Sequence, residues 1–188
     1  AIGVLRASGA LEFGLDGIRW MVETFGWDTR FVDALPTALV KPFSGSAARA
    51  MLIAIALQET GLRARRQMLE ARDHWWESKP GKGHGFWQFE RDGATRGVMR
   101  HAAASAIVLP VIDALLYPRD PYAVHEALIH NDVLACVLAR ALLYSTPDAM
   151  PRPNEPEKGW AIYLKAWRPG KPHPEVWPEN YRIAWEAV

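Results

Sequence analysis

Hydrophobic and polar positions along this chain recur with the helical period, and the alternation of a half-buried strand is almost absent. Ile18, Met21, Val22 and Phe25 share one helical face over about 16–25, and Gly26 closes that stretch. Leu52, Ile55, Ala56 and Glu59 form the next face, over about 47–60. Ser46 is its candidate N-cap and Gly61 its candidate C-terminal cap. Gln67 to Glu77 has helical spacing, with Leu69, His74, Trp75 and Trp76 placed to pack or to line a groove. SKPGKGHG, residues 78–85, has the composition of a loop, and 86–90 has that of a short extended turn.

Downstream, Ala94–Ile107 and Val111–Tyr117 read as helices on either side of Pro110, which kinks or restarts the chain. Asp120-Pro121 has the form of an N-cap followed by proline in the first turn, opening a helix to about Ile129. Asn131 or Asp132 caps a further helix to Tyr144 that is apolar on all sides. A proline-rich connector, MPRPNEPEKG, precedes a helix over Glu157–Trp167, and a last helix follows at about 179–187. The pattern predicts a mainly α fold in one domain, 16–188, with a small irregular or β-turn segment near 84–91. The glycine-rich residues 1–15 read as an arm or a linker.

Composition narrows the function classes. At 188 residues the chain is long enough for one substantial core. A net charge of +1 gives no electrostatic case for nucleic acid as a partner. No apolar run reaches the ~18 residues of a membrane span. The start of the chain lacks the charged, apolar and small-residue blocks of a signal peptide, and it lacks an initiator Met. A piece of a longer chain, or a processed product, is expected. The lone Cys136 excludes an internal disulfide and a cysteine-based zinc cluster, and its apolar run predicts burial. The six histidines are scattered and form no HExxH pattern, so neither metal nor cofactor is expected.

Carboxylate chemistry remains, and Glu59 is its candidate. A carboxylate on an apolar stripe is costly unless paired or protonated, and desolvation turns it into a general acid near neutral pH. The structural alternative is an ion pair with Arg63 or Arg65. IAIALQETGL resembles the catalytic helix of lysozyme-like peptidoglycan hydrolases, above all the soluble lytic transglycosylases. Gln58, Glu59 and Thr60 stand where that family has Gln-Glu-Ser. Gly85-Phe86-Trp87-Gln88 is similar to the family's Gly-apolar-Met-Gln turn, with Trp in place of Met. The spacing between the two motifs is longer here, and the family's Tyr-Asn-Ala-Gly loop has no clear copy. The resemblance is strong over 50–90, weaker over 120–170 and absent before 40.

The resemblance implies a lysozyme-like α domain that cleaves the MurNAc–GlcNAc bond of peptidoglycan glycan strands. It implies Glu59 as general acid, acting alone in the transglycosylase chemistry that closes a 1,6-anhydro ring. For a second acid the candidates are Glu70, Asp73, Glu77 and Glu90, so hydrolysis and transglycosylation both stay open. The expected substrate contacts are Gln58, Phe86, Trp87, Gln88 and Glu90 around the turn, and Trp160, Tyr163 and Trp167 on a late aromatic helix face. Arg168 either binds the ligand or caps that helix. With no leader visible, the resemblance points to a phage-encoded or virion-associated module acting on the bacterial cell wall. A plant-type chitinase-like hydrolase is an alternative, since that family also has a Glu-Thr-Gly stretch. So is a non-catalytic glycan-binding or virion assembly domain.

Overall fold

A computed structural model describes residues 45–70 and 79–188. The expected arm at 1–15, the helix at 16–25 and the positions Asp73 and Glu77 lie outside the described residues, as does the side chain of Glu70. Among the described residues the fold is mainly α, with seven α-helices and one two-stranded sheet. Helix α1 runs Ser46–Thr60, with Gly45 rather than Ser46 at its cap position. Met51 to Leu57 are all buried, so the helix is enclosed on every side rather than along one stripe. Beyond Leu57 its last three residues, Gln58, Glu59 and Thr60, come half into the open. Gly61 ends it in the left-handed conformation, φ 59°, and its N–H bonds Leu57 O at 2.9 Å, as the sequence predicts.

The strand signal was weak, yet a hairpin forms. Strand β1, Arg66–Glu70, pairs antiparallel with β2, Lys79–His84, in an irregular register. The helix expected from Gln67 therefore begins as a strand. Its apolar residues Met68 and Leu69 are exposed, so helical spacing there reflects no buried face. The amide of Gln67 supplies part of the pairing, its Oε1 accepting Lys82 N–H at 3.0 Å. A π-helical turn, Arg91–Thr95, leads into α2, Arg96–Arg100. Helix α3, Ala102–Ala114, continues through Pro110 without a restart, and the chain bends by 96° at His101. Proline removes one N–H and stays compatible with a helix whose other bonds and packing hold it.

Helix α4, Pro121–Ala127, begins as expected, with Asp120 Oδ2 accepting Ala123 N–H at 2.9 Å. Helix α5, Asp132–Tyr144, is capped by Asn131 Oδ1 on Leu134 N–H at 3.0 Å. It is buried almost throughout and carries Cys136 into the core. Helices α6, Pro156–Trp167, and α7, Trp177–Glu186, complete the chain. Helix α7 packs along α1, α3 along α5, and α1 against α5, so α1 is the axis of the core. Helices α6 and α7 meet at Gly159, where a Cβ would stand 2.7 Å from the Tyr181 ring. Among the described residues no single helix is long and apolar enough to cross a membrane.

Candidate active site

Glu59 sits where α1 leaves the core, and its Oε1 accepts the Tyr163 hydroxyl at 2.8 Å. That bond joins the end of α1 to α6 across 104 positions of sequence. Burial pushes the Glu59 carboxyl above its ordinary value, and the Tyr163 hydrogen bond pulls it part of the way back. The Tyr163 hydroxyl is itself pushed far up, by burial first and by the neighbouring carboxylate second, so it stays a donor. No ion pair to Glu59 occurs among the described residues. Arg65 instead grips Asp132 through Nε to Oδ1 at 2.7 Å and Nη2 to Oδ2 at 2.6 Å. Its guanidinium also lies over the Phe86 ring, 4.4 Å from the centroid.

The aromatic turn is closed by a reciprocal pair, His84 N–H to Phe89 O at 3.0 Å and Phe89 N–H to His84 O at 2.9 Å. Gly85 has φ +71°, the positive value that the turn requires, and Gln88 follows at φ +51°. Thr60 Oγ1 lies 3.1 Å from Phe86 O and 3.0 Å from Ala56 O, so the residue after Glu59 touches the turn directly. Glu59, Thr60, Phe86 and Tyr163 are thereby brought into one neighbourhood.

The other expected contacts are placed differently. Trp87 points into the core, 6% exposed, with its indole N–H on Leu52 O at 2.9 Å. It therefore anchors the turn and is not a cleft floor. Gln88 folds back on its own turn, Nε2 to Gly85 O at 2.9 Å. Gln58 is held at both ends by the C-terminal segment, Nε2 to His173 O at 2.9 Å and Oε1 from Asn180 Nδ2 at 3.0 Å. The aromatic face of α6 was expected at a groove edge. The Tyr163 ring is instead 2% exposed, stacked on Trp177 at 5.5 Å and 13°, and only its hydroxyl serves Glu59. Trp160 packs half-buried against Tyr163 and Trp177. Trp167, also half-buried, donates its indole N–H to Trp87 O at 2.9 Å and so steadies the turn. Arg168 caps α6 with φ 48°.

Glu90 faces a separate pocket of about 380 Å³, together with Arg66, Lys82 and Arg91. His84 and His125 lie buried in its lining beside the exposed Glu126. These three residues are of metal-ligating type, and their ligand atoms lie within 4.8 Å of one another. Yet the two rings are stacked, centroids 3.8 Å apart and 15° from parallel. An ion at the usual ~2.1 Å from nitrogen must lie in the plane of each ring it binds. Rings stacked in this way cannot both direct a lone pair at one ion without turning apart. Sequence reasoning missed this cluster, the Arg65–Asp132 pair and the roles of Trp177 and Asn180. Their partners are far apart in the chain, and no local pattern marks them. No family model, curated protein or solved structure matches this chain.

Proposed function

We propose that this domain is a glycosidase of the bacterial wall, cleaving the β-1,4 MurNAc–GlcNAc bond with Glu59 as its general acid. The observation that carries this reading is the state of Glu59: a carboxyl at the mouth of a buried helix, raised by desolvation and held by a neutral donor rather than by a cation. An ion pair would keep the group ionised and useless as an acid. The Tyr163 bond occupies Oε1, which leaves Oε2 to carry the proton toward a glycosidic oxygen. After the bond breaks, the same carboxylate can take a proton from the attacking hydroxyl, whether of water or of the sugar's own 6-position. The Gln-Glu-Thr and Gly-Phe-Trp-Gln resemblance supports the same chemistry and the wall glycan as substrate.

Purified sacculi test the reading. Glu59→Gln is expected to lower the release of muropeptides by at least ~10²-fold while the fold is retained. Mass spectrometry of the products separates the two outcomes of cleavage, since an anhydro end is lighter than a reducing end by one water. Undiminished release by the variant would remove Glu59 from the chemistry. No release by either protein would favour a domain that only binds glycan.

A further inference from the structure

The pocket that holds His84, His125 and Glu126 contains a hydrogen-bond acceptor with nothing to accept. His125 is 5% exposed, and its Nε2 lies 2.9 Å from Phe89 O and 3.1 Å from Lys82 O. Carbonyl oxygens only accept, so Nε2 carries the proton and Nδ1 of the neutral ring carries the lone pair. Burial and the adjoining His84 hold the His125 pKa below its ordinary value, which keeps the ring neutral. Nδ1 has no hydrogen bond among the described residues, and its nearest charged neighbour is Glu126 Oε1 at 3.8 Å. His84 cannot fill the gap, because its own Nδ1 donates to His125 O at 3.0 Å.

Two acceptors 3.8 Å apart suit a single donor nitrogen placed between them. Bonds of about 2.9 Å reach both, and hydrogen bonding, unlike coordination, does not require the two rings to turn apart. The lining of the same pocket carries the cations Arg66, Lys82 and Arg91 together with the carboxylates Glu90, Asp92 and Glu126. Arg91 is committed to Asp92 at 2.7 Å, whereas Arg66 and Lys82 have no carboxylate partner among the described residues. One ligand class meets all of these features, an amino acid end carrying both a free ammonium and a free carboxylate.

We infer that this pocket binds the zwitterionic end of a diamino-acid-containing wall peptide, with the ammonium between His125 Nδ1 and Glu126 and the carboxylate against Arg66 and Lys82. The choice of a wall peptide over a free amino acid rests on the function proposed above. Such a site would let the domain select uncrosslinked peptide stems while Glu59 acts on the glycan.

Isothermal titration tests this with the full chain and a synthetic stem peptide ending in a diamino acid, with the free diamino acid as a second ligand. Saturable binding of the peptide, weakened at least about tenfold by acetylating its amine or by Glu126→Gln, is the expected result. Glu126 is a surface residue, so its substitution leaves the fold in place. Perturbation of the His125 Nδ1 resonance in nitrogen NMR on adding the peptide would place the ammonium. Equal binding of the acetylated peptide, or no binding at millimolar concentration, overturns the inference. Equal affinity for the free diamino acid overturns the peptide as the ligand. Glu59→Gln should bind the peptide normally. Sacculi digested without any peptide binding would defeat this inference alone, and peptide binding without digestion would uphold it while defeating the glycosidase.

Discussion

At the scale of the residue, Glu59 is governed by two opposed effects, desolvation raising its pKa and the Tyr163 hydroxyl lowering it. The folded chain holds the Glu59 proton at pH values where the unfolded chain, with the ordinary value of 4.5, has lost it. The stability this adds is fully present below the unfolded pKa and is lost as pH rises through the folded one. Gln at this position carries no such loss and can still accept the Tyr163 hydroxyl. Glu59→Gln should therefore melt higher than the parent at pH 7, and the two melting temperatures should converge below about pH 4. A constant gap across that range would mean that the carboxyl is not perturbed by folding. Tyr163→Phe removes only the lowering effect, so Glu59 should stay protonated to higher pH. The alkaline limb of the activity profile should move up while turnover at the optimum falls, roughly tenfold, because the carboxyl is no longer oriented. An unmoved limb would uncouple Tyr163 from the acid.

At the scale of the element, what could be read from the sequence follows the range of the forces involved. Helices α1, α4, α5 and α6 were legible because their periodicity and their caps, Gly61, Asp120 and Asn131, act within one or two turns. The hairpin was not, since Gln67 and Lys82 meet only after the chain has folded, and neither strand alternates in polarity. Pro110 misled for a related reason: the packing of α3 on α5 decides the matter over local propensity. Of the candidate site, Glu59 and the turn at 85–88 were visible as motifs. The Tyr163 bond was reachable only as one option among several, and the burial of Trp87 was not visible at all. Gly85 was visible as the first residue of the turn motif, and the positive φ it adopts carries a prediction. Gly85→Ala would place a methyl 3.2 Å from Ala135 Cβ and 3.3 Å from Leu128 O, at φ +71°. Strain and crowding together should cost about 1–3 kcal/mol in denaturant titrations, with a larger loss of activity because Phe86 shifts against Thr60. A change within 0.5 kcal/mol, in the ordinary range of surface substitutions, would show that the turn adapts freely.

At the scale of the whole molecule, the C-terminal segment closes the core around α1 and also sets the acid's surroundings. Helix α7 lies along α1, and Asn180 and His173 hold the side chain of Gln58, the residue before Glu59. Trp177 is the keystone of this contact. It is 2% exposed, donates its indole N–H to Pro156 O at 2.8 Å, and stacks on the ring whose hydroxyl reaches Glu59. Stability and acid placement thus depend on the same aromatic cluster, and one substitution should reveal both. Trp177→Ala is expected to cost about 3–5 kcal/mol, as large cavities in cores do. It should also lower turnover at temperatures where the variant is still fully folded, because Tyr163 loses the surface that fixes its ring. Trp177→Phe, which keeps a stacked ring and gives up the Pro156 bond, should recover most of the activity and less of the stability. If Trp177→Ala instead melted early yet turned over normally when folded, the cluster would serve the core alone, and Tyr163 would need no support to hold Glu59.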